Sequence, residues 1–167
     1  TIDELSHKLS GSTVFSKLDA KSGYWSVPLD PVRQLVTTFN SPFGRYCFKR
    51  LPFGLKSSQD VFQSQMDQIL DRLPGVISIA DDIIVFGDSP ASHNNHLHGL
   101  MQRAQQYGLV FNKSKCIIGS TEVPFFGHMY SSAGTRLDPA KIQAIKDLAE
   151  PSDVEALRTF LGMVTCL

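Results

Sequence analysis

The run Val76-Ile77-Ser78-Ile79-Ala80-Asp81-Asp82-Ile83-Ile84-Val85-Phe86 sets the tightest limit on how this chain folds. Its β-branched and aromatic residues favour a strand, yet two adjacent carboxylates stand at its centre. Unit charges ~4 Å apart repel by roughly 4 kcal/mol at an effective dielectric near 20. Apolar flanks on both sides add a desolvation penalty. A fold accommodates such a pair at an exposed hairpin tip, around a bound cation, or with one group kept protonated. The dipeptide alone does not choose among the three.

A second position bears on the choice. Asp19 ends the apolar segment Val14–Leu18 and precedes a break at Gly23. It reads either as a turn or cap carboxylate, or as a neighbour of Asp81 on an adjacent strand. In the latter arrangement the carboxylates suit hard divalent cations, since magnesium takes one or two protein carboxylates and fills its shell with water and phosphate oxygens. Two such ions about 3.5–4 Å apart activate a hydroxyl and stabilise the leaving oxygen of an in-line displacement.

Net charge is silent about partners, because sixteen Lys and Arg oppose sixteen Asp and Glu. The distribution is not. Residues 31–59 hold five basic side chains (Arg33, Arg45, Lys49, Arg50, Lys56) and no acid, whereas residues 60–88 hold six acids and only Arg72. This is either patchy surface charge or an anion-binding face beside a carboxylate cluster. The three cysteines, Cys47, Cys116 and Cys166, are odd in number and lack metal spacing, which argues against a disulfide scaffold and for a reducing, intracellular setting. His93, His96 and His98 also lack a clean metal spacing and read as an exposed helix start. No apolar run approaches the ~18 residues of a membrane span, and no leader opens the chain. At 167 residues the chain is one domain or a piece of a larger protein, and both ends read as cut from a longer chain.

Periodicity predicts an α+β domain. A first helix has Ile2, Leu5 and Leu9 on one face, Thr1 and Glu4 at capping-box spacing, and Gly11 as its stop. Residues 13–29 read as strand around a break at Lys21-Ser22-Gly23, and 35–39 and 45–49 as two more strands. A helix over Ser57–Leu73 carries Phe62, Met66, Ile69, Leu70 and Leu73 on one face, with Ser57 and Asp60 as its cap. Ser92 begins another, with Leu97, Leu100, Met101 and Ala104 inward and Gly108 as terminator. Short strands at 109–111 and 115–118 and a hairpin at 123–130 follow. Asp138-Pro139 opens a helix with Ile142, Ile145 and Leu148 inward. Ser152 and Glu155 cap the last one, whose apolar face is Leu157, Phe160, Leu161 and Val164.

These residues, taken together, resemble a known family. Phe15-Ser-Lys-Leu-Asp19-Ala-Lys-Ser-Gly23-Tyr24-Trp25 resembles polymerase motif A of reverse transcriptases. Leu51-Pro-Phe53-Gly54-Leu-Lys56-Ser57, followed by Val61-Phe-Gln63, resembles motif B, and Ile79-Ala-Asp81-Asp82-Ile-Ile-Val85 resembles motif C. Phe125-Phe126-Gly127-His128 is similar to the primer-grip hairpin, and Arg158-Thr-Phe160-Leu-Gly162 to the segment after the palm. Order and spacing resemble the gypsy-type retrotransposon branch over essentially the whole chain. Three departures stand out: Ile79 where an aromatic is usual, Ser58-Gln59 where Ala-Pro is common, and Cys166 where a Tyr is common.

The resemblance implies a polymerase palm, an antiparallel ferredoxin-like sheet backed by helices, over residues 1–137, with the start of the thumb or connection over 138–167. It implies RNA-directed DNA synthesis on an RNA or DNA template with a primer, using deoxynucleoside triphosphates and two Mg2+ ions (Mn2+ as a substitute). Asp19 and Asp81 would be the principal metal ligands, with Asp82 beside them. Tyr24 would be the steric gate against a 2′-hydroxyl, and Phe53 and Gly54 the floor of the nucleotide pocket. Phe126, Gly127 and His128 would form the primer grip. Arg45, Lys49, Arg50 and Lys56 would touch phosphates, and Lys115 would donate a proton to pyrophosphate. A fingers segment is expected upstream and a thumb, connection and RNase H downstream, within a polyprotein found in a cytoplasmic particle or the nucleus. The rival expectation is a catalytically inactive palm remnant that binds nucleic acid or a protein.

Overall fold

The structure is a computed structural model. It describes residues 2–21, 23–148 and 150–165, except for the side chains of Ile2, Asp3 and Thr165. The Thr1 cap and Cys166 lie outside the described residues.

Four strands make the central sheet: β1 (Val14–Asp19), β4 (Val76–Ile79), β5 (Asp82–Gly87) and β6 (Ile117–Ser120), in spatial order β4-β5-β1-β6 with every pair antiparallel. Helix α4 (Ser58–Leu70) lies between β1 and β4 in sequence, and α5 (Pro90–Tyr107) between β5 and β6. This is the βαββαβ order of a ferredoxin-like sheet, as the resemblance implied.

Alternation along β1 and β5 separates two cores. On one face Leu18, Ile83 and Val85 pack with Phe62, Met66, Ile69 and Leu70 of α4 and Leu100 of α5. On the other, Phe15 and Ile84 meet Leu5 and Leu9 of α1 (Ile2–Leu9) and Val123, Phe125 and Tyr130. The last three belong to a second, three-stranded sheet of β7 (Glu122–Phe125), β8 (His128–Ser131) and β9 (Gly134–Leu137). Helices α6 (Pro139–Lys146) and α7 (Val154–Thr165) follow it. No helix among the described residues is long and apolar enough to cross a membrane.

Several local expectations are corrected. The extended reading of 13–29 ends at Asp19, and Gly23–Ser26 form a short helix, α2. Gly23 makes that turn possible: a Cβ there would stand 2.5 Å from the Phe62 ring. The strand expected over 35–39 is present only at its end: helix α3 (Pro31–Val36) takes Leu35 and Val36, and Phe39 alone is extended. Asp30 caps α3, its carboxylate accepting from Arg33 N at 3.0 Å. The following hairpin is β2 (Phe39–Ser41) and β3 (Gly44–Tyr46), shorter than expected.

Helix α4 has no side-chain bond from Ser57 at its cap, and Ser58 Oγ instead donates to Pro52 O at 2.7 Å. Helix α5 starts at Pro90 with Ser89 as its cap, not at Ser92, although Gly108 ends it in the left-handed conformation as expected. Residues 109–111 form only a single bridge, Ala20 to Phe111, and Lys113–Lys115 are a 3-10 turn. Asp153 rather than Ser152 caps α7, its Oδ1 accepting from Ala156 N at 2.7 Å. The faces of α6 and α7 are less covered than expected. Ile142 and Ile145 are half-buried, and Leu148, Leu157, Leu161 and Val164 are exposed.

His93 is the largest correction among the histidines. It is 1% exposed, and its Nε2 lies 2.8 Å from Ser16 Oγ inside the core. His96 is half-buried with Nδ1 2.7 Å from Phe86 O, so only His98 of the three stands exposed.

Candidate active site

Strands β1 and β5 are in register with Asp19 opposite Asp82. Directly opposed residues put their side chains on one face with Cβ atoms about 4.5–5.5 Å apart. Asp19 and Asp82 therefore share the face that also carries Phe15, Lys17 and Ile84. The β4–β5 connection is the two residues Ala80 and Asp81. Ala80 N is held by Gln63 Oε1 at 2.8 Å, and Asp81 O accepts from Ala20 N at 2.7 Å. All three carboxylates thus gather at one end of the β1/β5 ladder, and the carboxylate pair straddles a hairpin turn.

The turn is strained. Ala80 has φ +53°, a left-handed conformation that disfavours residues with a Cβ by roughly 1–2 kcal/mol. Gln63 of α4 over-determines it. Besides accepting from Ala80, its Nε2 donates to Asp67 Oδ1 at 2.9 Å and reaches Ser78 Oγ at 3.3 Å. The motif B helix thus fixes the motif C turn, a positioning role for Gln63 that the motif match alone does not assign.

Charge at the ladder end is compensated locally. Lys115 Nζ lies 3.2 Å from Asp19 Oδ2, and Lys17 Nζ 3.0 Å from Asp82 Oδ2. Asp19 itself is buried, Asp82 half-buried and Asp81 exposed. Among the described residues, no group of three or more His, Cys, Asp and Glu side chains stands close enough to hold a metal ion by itself. The donor chemistry still fits a hard divalent cation, which needs one or two protein carboxylates when phosphates and water complete its shell. Two ammonium groups already sit against these carboxylate oxygens, where a cation would be expected to bind.

Tyr24, on α2 directly after Gly23, is half-buried between two rings: Phe62 at 4.9 Å, stacked, and Phe53 at 4.7 Å, tilted. Phe53 is 58% exposed and Gly54 has φ +85°, so this turn shows a bare ring and a left-handed backbone to solvent. Trp25, Phe48 and Phe39 continue the line of rings from Phe53 to the β2–β3 hairpin.

Arg45, Lys49 and Lys56 are exposed along the same stretch. Arg50 differs: its guanidinium donates to Trp25 O at 3.3 Å and Ser26 O at 3.0 Å, bracing α2.

Phe126 and Gly127 form the two-residue turn between β7 and β8, both at positive φ (+46° and +82°). That matches the primed turns of tight hairpins. Phe126 is exposed at the tip and His128 is buried beneath it. Because Val123 and Phe125 pack on Phe15 and Ile84, this hairpin rides on the sheet face that bears Asp19 and Asp82.

Comparison with known proteins agrees with this architecture. Residues 1–130 match the family described as "Reverse transcriptase (RNA-dependent DNA polymerase)". The chain is 33% identical, over 98% of its length, to the "Enzymatic polyprotein" of Figwort mosaic virus (strain DxS), of which it covers 25%. It is 31% identical, over 94% of its length, to the "Retrovirus-related Pol polyprotein from transposon gypsy" of Drosophila melanogaster, of which it covers 15%. The solved foamy viral protease-reverse transcriptase in complex with RNA/DNA hybrid superposes with a TM-score of 0.82 at 23% identity, over 90% of this chain and 21% of that one. That likeness concerns the fold, and the chain spans a quarter or less of the curated relatives named here. The chain belongs to the reverse transcriptase (RNA-dependent DNA polymerase) family.

Proposed function

We propose that this domain is the palm of a template-directed DNA polymerase within a retroelement polyprotein, and that Asp19 and Asp81 hold its divalent cations. The observation that carries the reading is the β1/β5 register, with Asp19 opposite Asp82 and Asp81 in the adjoining turn. Asp19 and Asp81 would hold Mg2+, or Mn2+ in its place, and Asp82 lies beside them with its carboxylate on Lys17. When bound, these ions supply charge stabilisation to the attacking and leaving oxygens of a phosphoryl transfer.

The reaction is attack by a primer 3′-hydroxyl on the α-phosphate of a deoxynucleoside triphosphate, opposite an RNA or DNA template, with release of pyrophosphate. Such chemistry rests on positioning and electrostatics. The protein's part is to hold rigid what the reactants need. Gln63 fixes the Asp81 turn, Arg50 braces the helix that carries Tyr24, and the β7–β8 tip offers Phe126 and Gly127 toward the primer, with the buried His128 ring against Phe126 O supporting the turn from below. Arg45, Lys49 and Lys56 are free to meet phosphates. Lys115 beside Asp19 supports a role as proton donor to the leaving pyrophosphate. Residues 138–167 begin the thumb or connection, and an RNase H domain is expected further along the polyprotein.

Tyr24 sits as a gate for the sugar. Replacing it with Val removes the ring while keeping a smaller apolar side chain beside Phe62. Loss of a clash of this kind relaxes discrimination by about 10–100-fold. Tyr24→Val is therefore expected to raise ribonucleotide incorporation relative to deoxynucleotide by that factor in single-nucleotide extension. An unchanged ratio would remove Tyr24 from the nucleotide pocket.

The test of the whole reading is primer extension on a primed RNA template by the polyprotein segment that includes these residues and their flanks. Template-directed, magnesium-dependent extension that EDTA abolishes is the expected result. A second reading, an inactive palm that only binds nucleic acid, draws support from the lysines that already occupy Asp19 and Asp82. It expects binding of the primed template without extension under any divalent cation.

A further inference from the structure

We propose that Lys17 is a positioning residue that ties Asp82 down, so that Asp19 and Asp81 alone meet the cation and bind it weakly until substrate phosphates arrive. This rests on the reading of Asp19 and Asp81 as the cation-binding pair.

The register forces the issue. Asp19 faces Asp82 across the ladder, and like charges directly opposite each other destabilise a sheet. Lys17 is two residues before Asp19, so it lies on the same face. Its own partner is Ile84, which makes Asp82 its diagonal neighbour, within reach of a long side chain. The ammonium takes that diagonal at 3.0 Å.

The two lysines differ in how firmly they are held. In the Lys17–Asp82 pair the side chains are 21% and 30% exposed, both partly shielded. In the Lys115–Asp19 pair the lysine is 63% exposed, so its ammonium is well placed to swing into solvent. A cation approaching the ladder end thus finds Asp81 exposed and Asp19 covered by a displaceable group, while Asp82 stays neutralised by a strand-anchored one. Without Lys17, the opposed Asp19 and Asp82 would form a second dicarboxylate site, and a divalent cation would relieve their repulsion. Lys17 keeps that site from forming and leaves part of the cation's shell to be filled by phosphate.

The test is Mn2+ binding to the full chain without nucleotide, read from the free-ion paramagnetic resonance signal. Lys17→Met and Lys17→Thr, the latter well suited to a strand, are each expected to lower the Mn2+ midpoint about tenfold, the order for one added neighbouring charge in a partly solvated site. Lys17→Arg keeps the charge and the midpoint. Adding Asp82→Asn to Lys17→Met should return the midpoint to the parent value, which a merely structural role for Lys17 would not produce. Melting in EDTA verifies that the variant read is folded. If Asp19→Asn abolishes Mn2+ binding while a folded Lys17→Met or Lys17→Thr leaves the midpoint unchanged or raises it, the role of Lys17 is overturned and the site stands. If Asp19→Asn leaves Mn2+ binding intact, the site itself is overturned, and the Lys17 proposal with it.

Discussion

Asp19→Asn and Asp81→Asn should each reduce primer extension by on the order of 10³-fold or more, equivalent to about 4 kcal/mol of transition-state stabilisation. Both substitutions are isosteric and remove one formal charge. Asp19 is 8% exposed and pairs with a lysine that is mostly in water, so the exchange leaves no buried charge stranded. Asp81 is exposed and its backbone carbonyl, not its side chain, binds Ala20. Folding should therefore survive both changes, and melting temperatures should stay within a few degrees of the parent. Asp82→Asn should cost less activity than either, because that carboxylate already answers to Lys17. Steady-state extension rates for the three variants, alongside melting curves, check the ranking. Equal activity of Asp81→Asn and the parent would contradict the assignment.

Phe15→Ala should destabilise the domain by about 3–5 kcal/mol, the range for deleting a buried aromatic ring. Phe15 has no exposed surface and lies where three parts of the molecule meet: the central sheet, helix α1 and the β7–β8 hairpin. Its loss opens a cavity bordered by Leu5, Leu9, Val123 and Phe125, elements from opposite ends of the chain that cannot all collapse together. The consequence reaches the site, because the same contact seats the Phe126-Gly127 tip above the sheet face with Asp19. Urea titration measures the destabilisation. A loss below about 1 kcal/mol would mean that the second sheet is not anchored through this ring.

The chemistry-bearing elements were legible because they are local. Asp19 at a strand end and Asp81-Asp82 in a β-prone run needed only alternation and charge to be noticed, and the hairpin tip was one of the solutions open to the pair. Gly108 and the Asp138-Pro139 start were readable as helix punctuation. Helix α3 carries the same Asp-Pro signal at Asp30-Pro31. It was masked by β-prone Val32 and Val36, which are 73% and 83% exposed and so obey no burial period at all.

His93 was misread through its spacing to other histidines. Its spacing to Leu97, Leu100 and Ala104, at i+4, i+7 and i+11, puts it on the buried stripe of α5. What no local pattern carries is tertiary: Lys115 reaching back to Asp19 from 96 residues away, Gln63 gripping the Ala80 turn, and Arg50 spending its guanidinium on two carbonyls.

The most direct test is anomalous diffraction from crystals of the domain soaked in Mn2+ with a primed template and an incoming nucleotide. The expected result is a manganese peak bonded to carboxylate oxygens of both Asp19 and Asp81, with Lys115 drawn off Asp19 and Lys17 still on Asp82. A peak that avoids either of those two aspartates, or none at this end of the sheet, would contradict it.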